Sequence, residues 1–85
     1  MKKNELVQFQ IAILIPCYNE SKTIAKVIED YRAQLPLSKI YVFDNNSSDG
    51  SGEIATRAGS IVVKEKRQGK GFVVSSMLKK VTAGI

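Results

Sequence analysis

Ile11-Ala12-Ile13-Leu14-Ile15 has no polar side chain to offer a solvent-facing surface. A strand made from it must be covered on both faces, the condition of strands in parallel sheets flanked by helices. Ile40-Tyr41-Val42-Phe43 and Ile61-Val62-Val63 repeat the pattern. Parallel neighbours need long crossovers, and the intervening segments have helical spacing. From Ser21 to Leu35, the residues Ile24, Val27, Ile28, Tyr31 and Leu35 fall on one helical stripe, which Pro36 stops. Glu53 to Ala58 reads as a short helix closed by Gly59, and Gly71 to Val81 returns to helical spacing through Val73, Val74, Met77, Leu78 and Val81.

The pattern is β-α-β-α-β-α. Right-handed crossovers place the strands in one parallel sheet of order 3-2-1 between helical layers, a three-layer α/β arrangement of Rossmann-like type. Residues 1–9 read as an N-terminal tail and residues 10–85 as one domain, with Pro16 ending the first strand and Asn19 capping the first helix. At 85 residues the chain holds one domain at most, burying little more than ~60% of its unfolded surface.

The inventory removes several chemistries. With no histidine and one cysteine there is no histidine-based triad, no Cys/His zinc site and no internal disulfide. Cys17, beside an apolar strand, reads as a buried thiol. Neither a Walker-type phosphate loop nor a Gly-x-Gly-x-x-Gly after the first strand is present. The tail carries Asn4, Glu5, Gln8 and Gln10, unlike a signal peptide, and no apolar run approaches the ~20 residues of a membrane span. A net charge of +5 favours anionic partners. Lys64, Lys66, Arg67 and Lys70 cluster in one loop, whereas Lys2 and Lys3 read as solvated. The loop lacks the aromatic platforms and basic stripe of nucleic-acid binders, so no nucleic-acid partner is expected.

Polar clusters follow the first two strands: Pro16-Cys17-Tyr18-Asn19-Glu20, then Asp44-Asn45-Asn46-Ser47-Ser48-Asp49-Gly50. Ligands of open α/β sheets bind at such carboxyl ends. Together the clusters resemble the inverting, A-type-fold nucleotide-sugar glycosyltransferases of family 2, which include dolichyl- and polyprenyl-phosphate sugar transferases. There an opening strand ends in Pro-x-Tyr-Asn-Glu and a second in Asp-(Asp/Asn)-Asn-Ser-x-Asp-Gly, and Gly69-Lys70-Gly71 matches a third element. The resemblance covers roughly residues 10 to 80 and implies the N-terminal half of such a domain.

It further implies a nucleotide site made by Pro16, Tyr18, Glu20, Asp44, Asn46, Arg67 and Lys70. Asp44 would accept hydrogen bonds from a base, Tyr18 would offer a flat face, Glu20 would bond ribose, and Arg67 and Lys70 would neutralise phosphates. A second reading stays open for most of these. Asp-Asn-Asn-Ser is ordinary turn chemistry, Glu20 is an acid where a helix N-terminus favours one, and the basic loop could be merely solvated. Asp49-Gly50 reads as structural, and the family's second acid is Asn45 here. The implied partners are a UDP- or GDP-sugar and an acceptor such as polyprenyl phosphate, with a cytoplasmic location at the inner membrane face for the complete enzyme. A divalent metal, Mg2+ or Mn2+, is implied for that enzyme, with its ligands and the catalytic base outside this chain. The chain itself is therefore expected to hold no catalytic residue and, alone, no activity. A non-catalytic binding or interaction module is the alternative, and a bare first-strand edge would favour a homo-oligomer.

Overall fold

A computed structural model describes residues 11–84, and the expected tail lies outside them. Strands β1 (Ala12–Cys17), β2 (Lys39–Asp44) and β3 (Ile61–Lys64) alternate with helices α1 (Ile24–Gln34), α2 (Ser51–Arg57) and α3 (Lys70–Thr82). All pairings are parallel and β2 is central, giving the 3-2-1 order that the crossovers dictate. The register sets Cys17 opposite Asp44 and Asp44 opposite Lys64, so the three strands end side by side.

Alternation of side chains along β2 divides the core in two. Ile40 and Val42 face α1 and α2, where they pack with Ile15, Cys17, Ile24, Ile28 and Ala55. Tyr41 and Phe43 face α3 and pack with Val73, Leu14, Val63 and Met77. Helices on both faces bury every residue of β2 after Lys39, including the terminal Asp44.

The first strand departs from expectation in two ways. It is not covered on both faces, because Ala12 and Pro16 are exposed while Ile15 and Cys17 are buried. Nor does Pro16 end it. The carbonyls of Ile11 and Cys17 accept the N–H groups of Lys39 and Asn45 at 2.9 and 2.8 Å, so odd-numbered residues point their backbone at β2. Pro16, at an even position, points its missing donor to the open edge and leaves the ladder intact.

The first helix also starts later than expected. Its first-turn N–H groups at Thr23 and Ile24 bond the Glu20 carbonyl at 3.1 and 2.9 Å, and Thr23 occupies the N-cap without a side-chain bond. Asn19 is therefore not the cap. Its φ of 50° is left-handed, a conformation asparagine tolerates, and its side chain is used elsewhere. At the other end of the layer, Arg32 donates to the carbonyls of Ala58 and Gly59 at 2.7 and 3.2 Å, closing the C-terminus of α2 onto α1. Gly59 is left-handed there, with φ of 92°.

Candidate functional site at the carboxyl ends of the strands

The loops after β1 and β2 are laced together by their own polar groups. Three consecutive backbone N–H groups of the first loop find acceptors in the second: Asn19 donates to Ser47 Oγ at 2.9 Å, Glu20 to Ser51 Oγ at 2.8 Å and Ser21 to Asp49 Oδ2 at 3.0 Å. The Asn19 side chain returns the bond, accepting the Ser48 N–H at 2.8 Å. Asp49 Oδ1 also accepts from the Ser51 N–H and hydroxyl. Gly50, at φ of 85°, turns the chain into α2. The Ser-Ser-Asp-Gly run is thus a clasp that fixes Tyr18 and Glu20 relative to Asp44.

Two carboxylates depend on such bonds. Asp49 is held down at about 2, chiefly by the Ser51 hydroxyl. Glu65 is likewise lowered to about 2, chiefly by side-chain hydrogen bonds from Arg67. A depressed folded-state pKa stabilises the fold above the ordinary carboxylate range and loses that contribution as pH falls through the folded value. Thermal melts should therefore weaken progressively from about pH 4.5 to about pH 2. Asp49→Asn should flatten part of that dependence; an identical pH profile would contradict the clasp.

The third loop hangs on Asn45. This side chain, 4% exposed, donates from Nδ2 to the carbonyls of Glu65 and Arg67 at 3.1 and 2.8 Å and accepts the Gly69 N–H on Oδ1 at 3.0 Å. Glu65 then receives the Arg67 backbone N–H at 2.8 Å and its guanidinium at 2.9 Å, and the guanidinium lies 4.6 Å from the Phe72 ring centre. Gly69, with φ of 131°, leads into α3.

The result is two hollows at the strand ends. The larger, about 440 Å³, is lined by Pro16, Tyr18, Glu20, Asn45, Lys70 and the apolar flank of α3 at Val73. Tyr18, which lines it, is half exposed. The other, about 290 Å³, is lined by Asp44, Asn46, Ser47, Lys64, Glu65 and Lys66. Of the seven residues singled out from sequence, four share the first hollow and two the second. Arg67 lines neither, and its charge is matched by Glu65. Lys70 forms no ion pair among the described residues.

Asp44 itself is 4% exposed and rests against the start of α2. Its Oδ1 accepts the Ser47 N–H at 3.1 Å. A Cβ placed on Gly52 would stand 2.7 Å from Oδ2, so only glycine leaves this carboxylate its place. Asn46 adopts a left-handed φ of 62° and donates to Gln68 at 3.4 Å. Cys17 is buried as expected, and that burial raises its pKa. Among the described residues, no cluster of histidine, cysteine or acidic side chains could hold a metal ion, and no helix is long and apolar enough to cross a membrane.

Asn45, Ser51, Gly52 and Arg32 carry roles that the sequence reading passed over. Asn45 registered only as a missing acid, although its amide is the group that both donates and accepts. Gly52 gave no signal, because the helix was expected from Glu53 onward and a glycine just ahead of a helix is ordinary.

Comparison with known proteins adds three findings. The family profile described as Glycosyl transferase family 2 matches residues 12–83. Protein RfbJ of Shigella flexneri is 51% identical over 77 residues, covering 91% of this chain and 60% of RfbJ, and Glycosyltransferase AglJ of Haloferax volcanii is 45% identical over 64 residues, 75% of this chain and 21% of AglJ. Among solved structures, glucosyl-3-phosphoglycerate synthase from Mycobacterium tuberculosis in complex with Mn2+, UDP-glucose and phosphoglyceric acid superposes with a TM-score of 0.73 at 25% identity, covering 92% of this chain and 31% of the synthase. The chain thus spans under two thirds of each of these proteins. The three strands and three helices of the described residues have the architecture of the A-type glycosyltransferase fold.

Proposed function

The chain belongs to glycosyl transferase family 2, and on that premise we propose that it is the donor-nucleotide-binding portion of such an enzyme, taking the nucleoside diphosphate of a UDP- or GDP-sugar. The observation that carries this reading is the convergence of Tyr18, Glu20 and Lys70 on one hollow, with Asp44 lining the neighbouring one and the loops between them clasped by their own polar groups. Prefixed geometry reduces the ordering cost of binding. Tyr18 supplies a half-exposed ring for a flat base and Asp44 an acceptor for base N–H groups. Glu20 is an acceptor for ribose hydroxyls, and Lys70 at the start of α3 is a cation for phosphate. Pro16 and Asn46 shape the walls. Arg67, already paired with Glu65, adds a weaker field than its sequence position implies.

The activity of the complete enzyme would be transfer of the sugar to an acceptor, polyprenyl phosphate being one candidate, at the cytoplasmic face of a membrane. The residues described here do not fit a divalent cation. A solved relative binds Mn2+ together with UDP-glucose, and by analogy a cation in the complete enzyme would sit on residues other than those of 11–84. No catalytic group is assigned to this chain. Calorimetric titration tests the reading: saturable UDP or GDP binding with no sugar transfer by the purified chain is expected. An intact fold that ignores millimolar nucleotide, or measurable transfer, would contradict it.

A second reading, a non-catalytic module acting through another chain, is favoured by the outer edge of β1, unpaired among the described residues, and by the exposed Val74, Leu78 and Val81 of α3. An unpaired strand edge invites a second copy. Light scattering at high concentration should then show a dimer; a well-folded monomer at every concentration would exclude it.

A further inference from the structure

The acids at the carboxyl ends of the strands are unequally committed. Asp44 accepts the Ser47 N–H on Oδ1, Asp49 accepts from Ser21 and Ser51 on its two oxygens, and Glu65 accepts from Arg67 on both of its own. Glu20 differs: its side chain is exposed, lines the larger hollow and makes no hydrogen bond or ion pair among the described residues. What the fold uses in Glu20 is the backbone. Its N–H donates to Ser51 Oγ at 2.8 Å, and its carbonyl accepts the N–H groups of Thr23 and Ile24 that open α1. Ser51 is fully buried as the first residue of α2, and its hydroxyl both receives Glu20 and donates to Asp49 Oδ1. A hydroxyl does both at once, and a methyl group neither. Asp49 in turn takes the next N–H, that of Ser21. Ser51 lines neither hollow. It therefore fixes where the Glu20 backbone stands without being placed to touch a ligand.

We infer that Ser51 is a positioning residue, holding the Glu20 backbone so that the uncommitted carboxylate meets the vicinal hydroxyls of the ligand's ribose. The inference rests on the nucleotide reading above and deepens it. Two carboxylate oxygens accept from two O–H donors, and hydrogen bonds to an ionised acceptor are the strong ones, so a displaced Glu20 is felt at the ribose diol. The base, received by Tyr18 and Asp44 in that reading, depends on other bonds. Ser47 accepts the Asn19 N–H and donates its own N–H to Asp44, and neither bond involves Ser51.

The test compares UDP with 2′,3′-dideoxy-UDP, or GDP with its dideoxy counterpart where UDP does not bind, by NMR titration of the whole chain at a temperature where every variant is folded. The unaltered chain should bind the ribose form at least tenfold more tightly. Ser51→Ala should cut that preference to less than threefold, while affinity for the dideoxy form changes less than twofold and the Glu20 amide exchanges faster with solvent. Glu20→Ala, which keeps every backbone bond, should lose the same preference, and adding Ser51→Ala to it should change the preference no further, because the two substitutions remove one contact. If Ser51→Ala does not fold, Asp49→Asn takes its place with the same expected loss of preference, since its amide would set a donor against the N–H of Ser21 or Ser51. A preference that survives the substitution, equal losses on both forms, or an unaltered chain indifferent to the ribose hydroxyls would overturn the inference while leaving the nucleotide reading intact. Failure of the unaltered chain to bind UDP or GDP in either form would instead sink that reading, and the inference with it.

Discussion

Asp44→Ala is expected to remove saturable nucleotide binding from a chain that still folds. In the proposed site, the carboxylate accepts hydrogen bonds from the base, and bonds to a charged group contribute ~1.5–3 kcal/mol each. Losing one corresponds to a roughly 10- to 100-fold weaker complex. The substitution also strips the Ser47 N–H of its acceptor, which should cost about 1 kcal/mol in stability. Asp44→Asn separates the two effects. Its amide oxygen can still receive Ser47, so stability should return, while the loss of charge and the gain of a donor should leave binding weak. Calorimetry paired with thermal melts measures both. Unchanged affinity in Asp44→Ala would mean that the base lies in the larger hollow without reaching β2.

Gly52→Ala should produce the second large effect, and from a residue that need not touch ligand at all. An alanine in the first turn of α2 gains ~0.5–1 kcal/mol of helix propensity over glycine. The new methyl group would stand 2.7 Å from Asp44 Oδ2, inside any allowed contact. The carboxylate is the end of a short side chain and can swing away, so the helical gain and the displacement should nearly offset in stability. Binding has no such compensation. We expect a melting temperature within a few degrees of the unaltered chain and nucleotide affinity reduced at least tenfold. A variant that binds normally would show that Asp44 need not hold its present position.

The order and pairing of the elements were legible because the apolar run Ile40 to Phe43 demands a strand covered on both faces, as β2 is, and because crossover handedness leaves one arrangement. Element ends were less so. Pro16 stays in the strand because β1 is an edge and its missing donor faces outward, a fact of tertiary position rather than of local sequence. Asn19 has the residue type of an N-cap but spends its side chain on Ser48, since the clasp between loops competes with capping.

The site was legible as a set of chain positions and not as a geometry. Tyr18, Glu20 and Asp44 fall at strand ends that are neighbours, as their motifs imply. The division into two hollows depends on which side of β2 each residue leaves. Asp44 turns toward Gly52 and α2, whereas Asn45 turns toward Gly69 and α3. Arg67 was read as a free cation because Glu65, two residues earlier, gives no hint in sequence that it will fold back onto the guanidinium.

Whether the loops after β1 and β2 make one nucleoside site is read residue by residue by amide-resolved NMR titration with UDP and GDP. Binding should shift the amides of Tyr18 to Glu20, Asn45 to Ser47 and Gly69 to Gly71 together, with a common affinity, and leave the far ends of α1 and β3 unmoved. Shifts confined to one loop, or scattered over the basic surface without saturation, would contradict it.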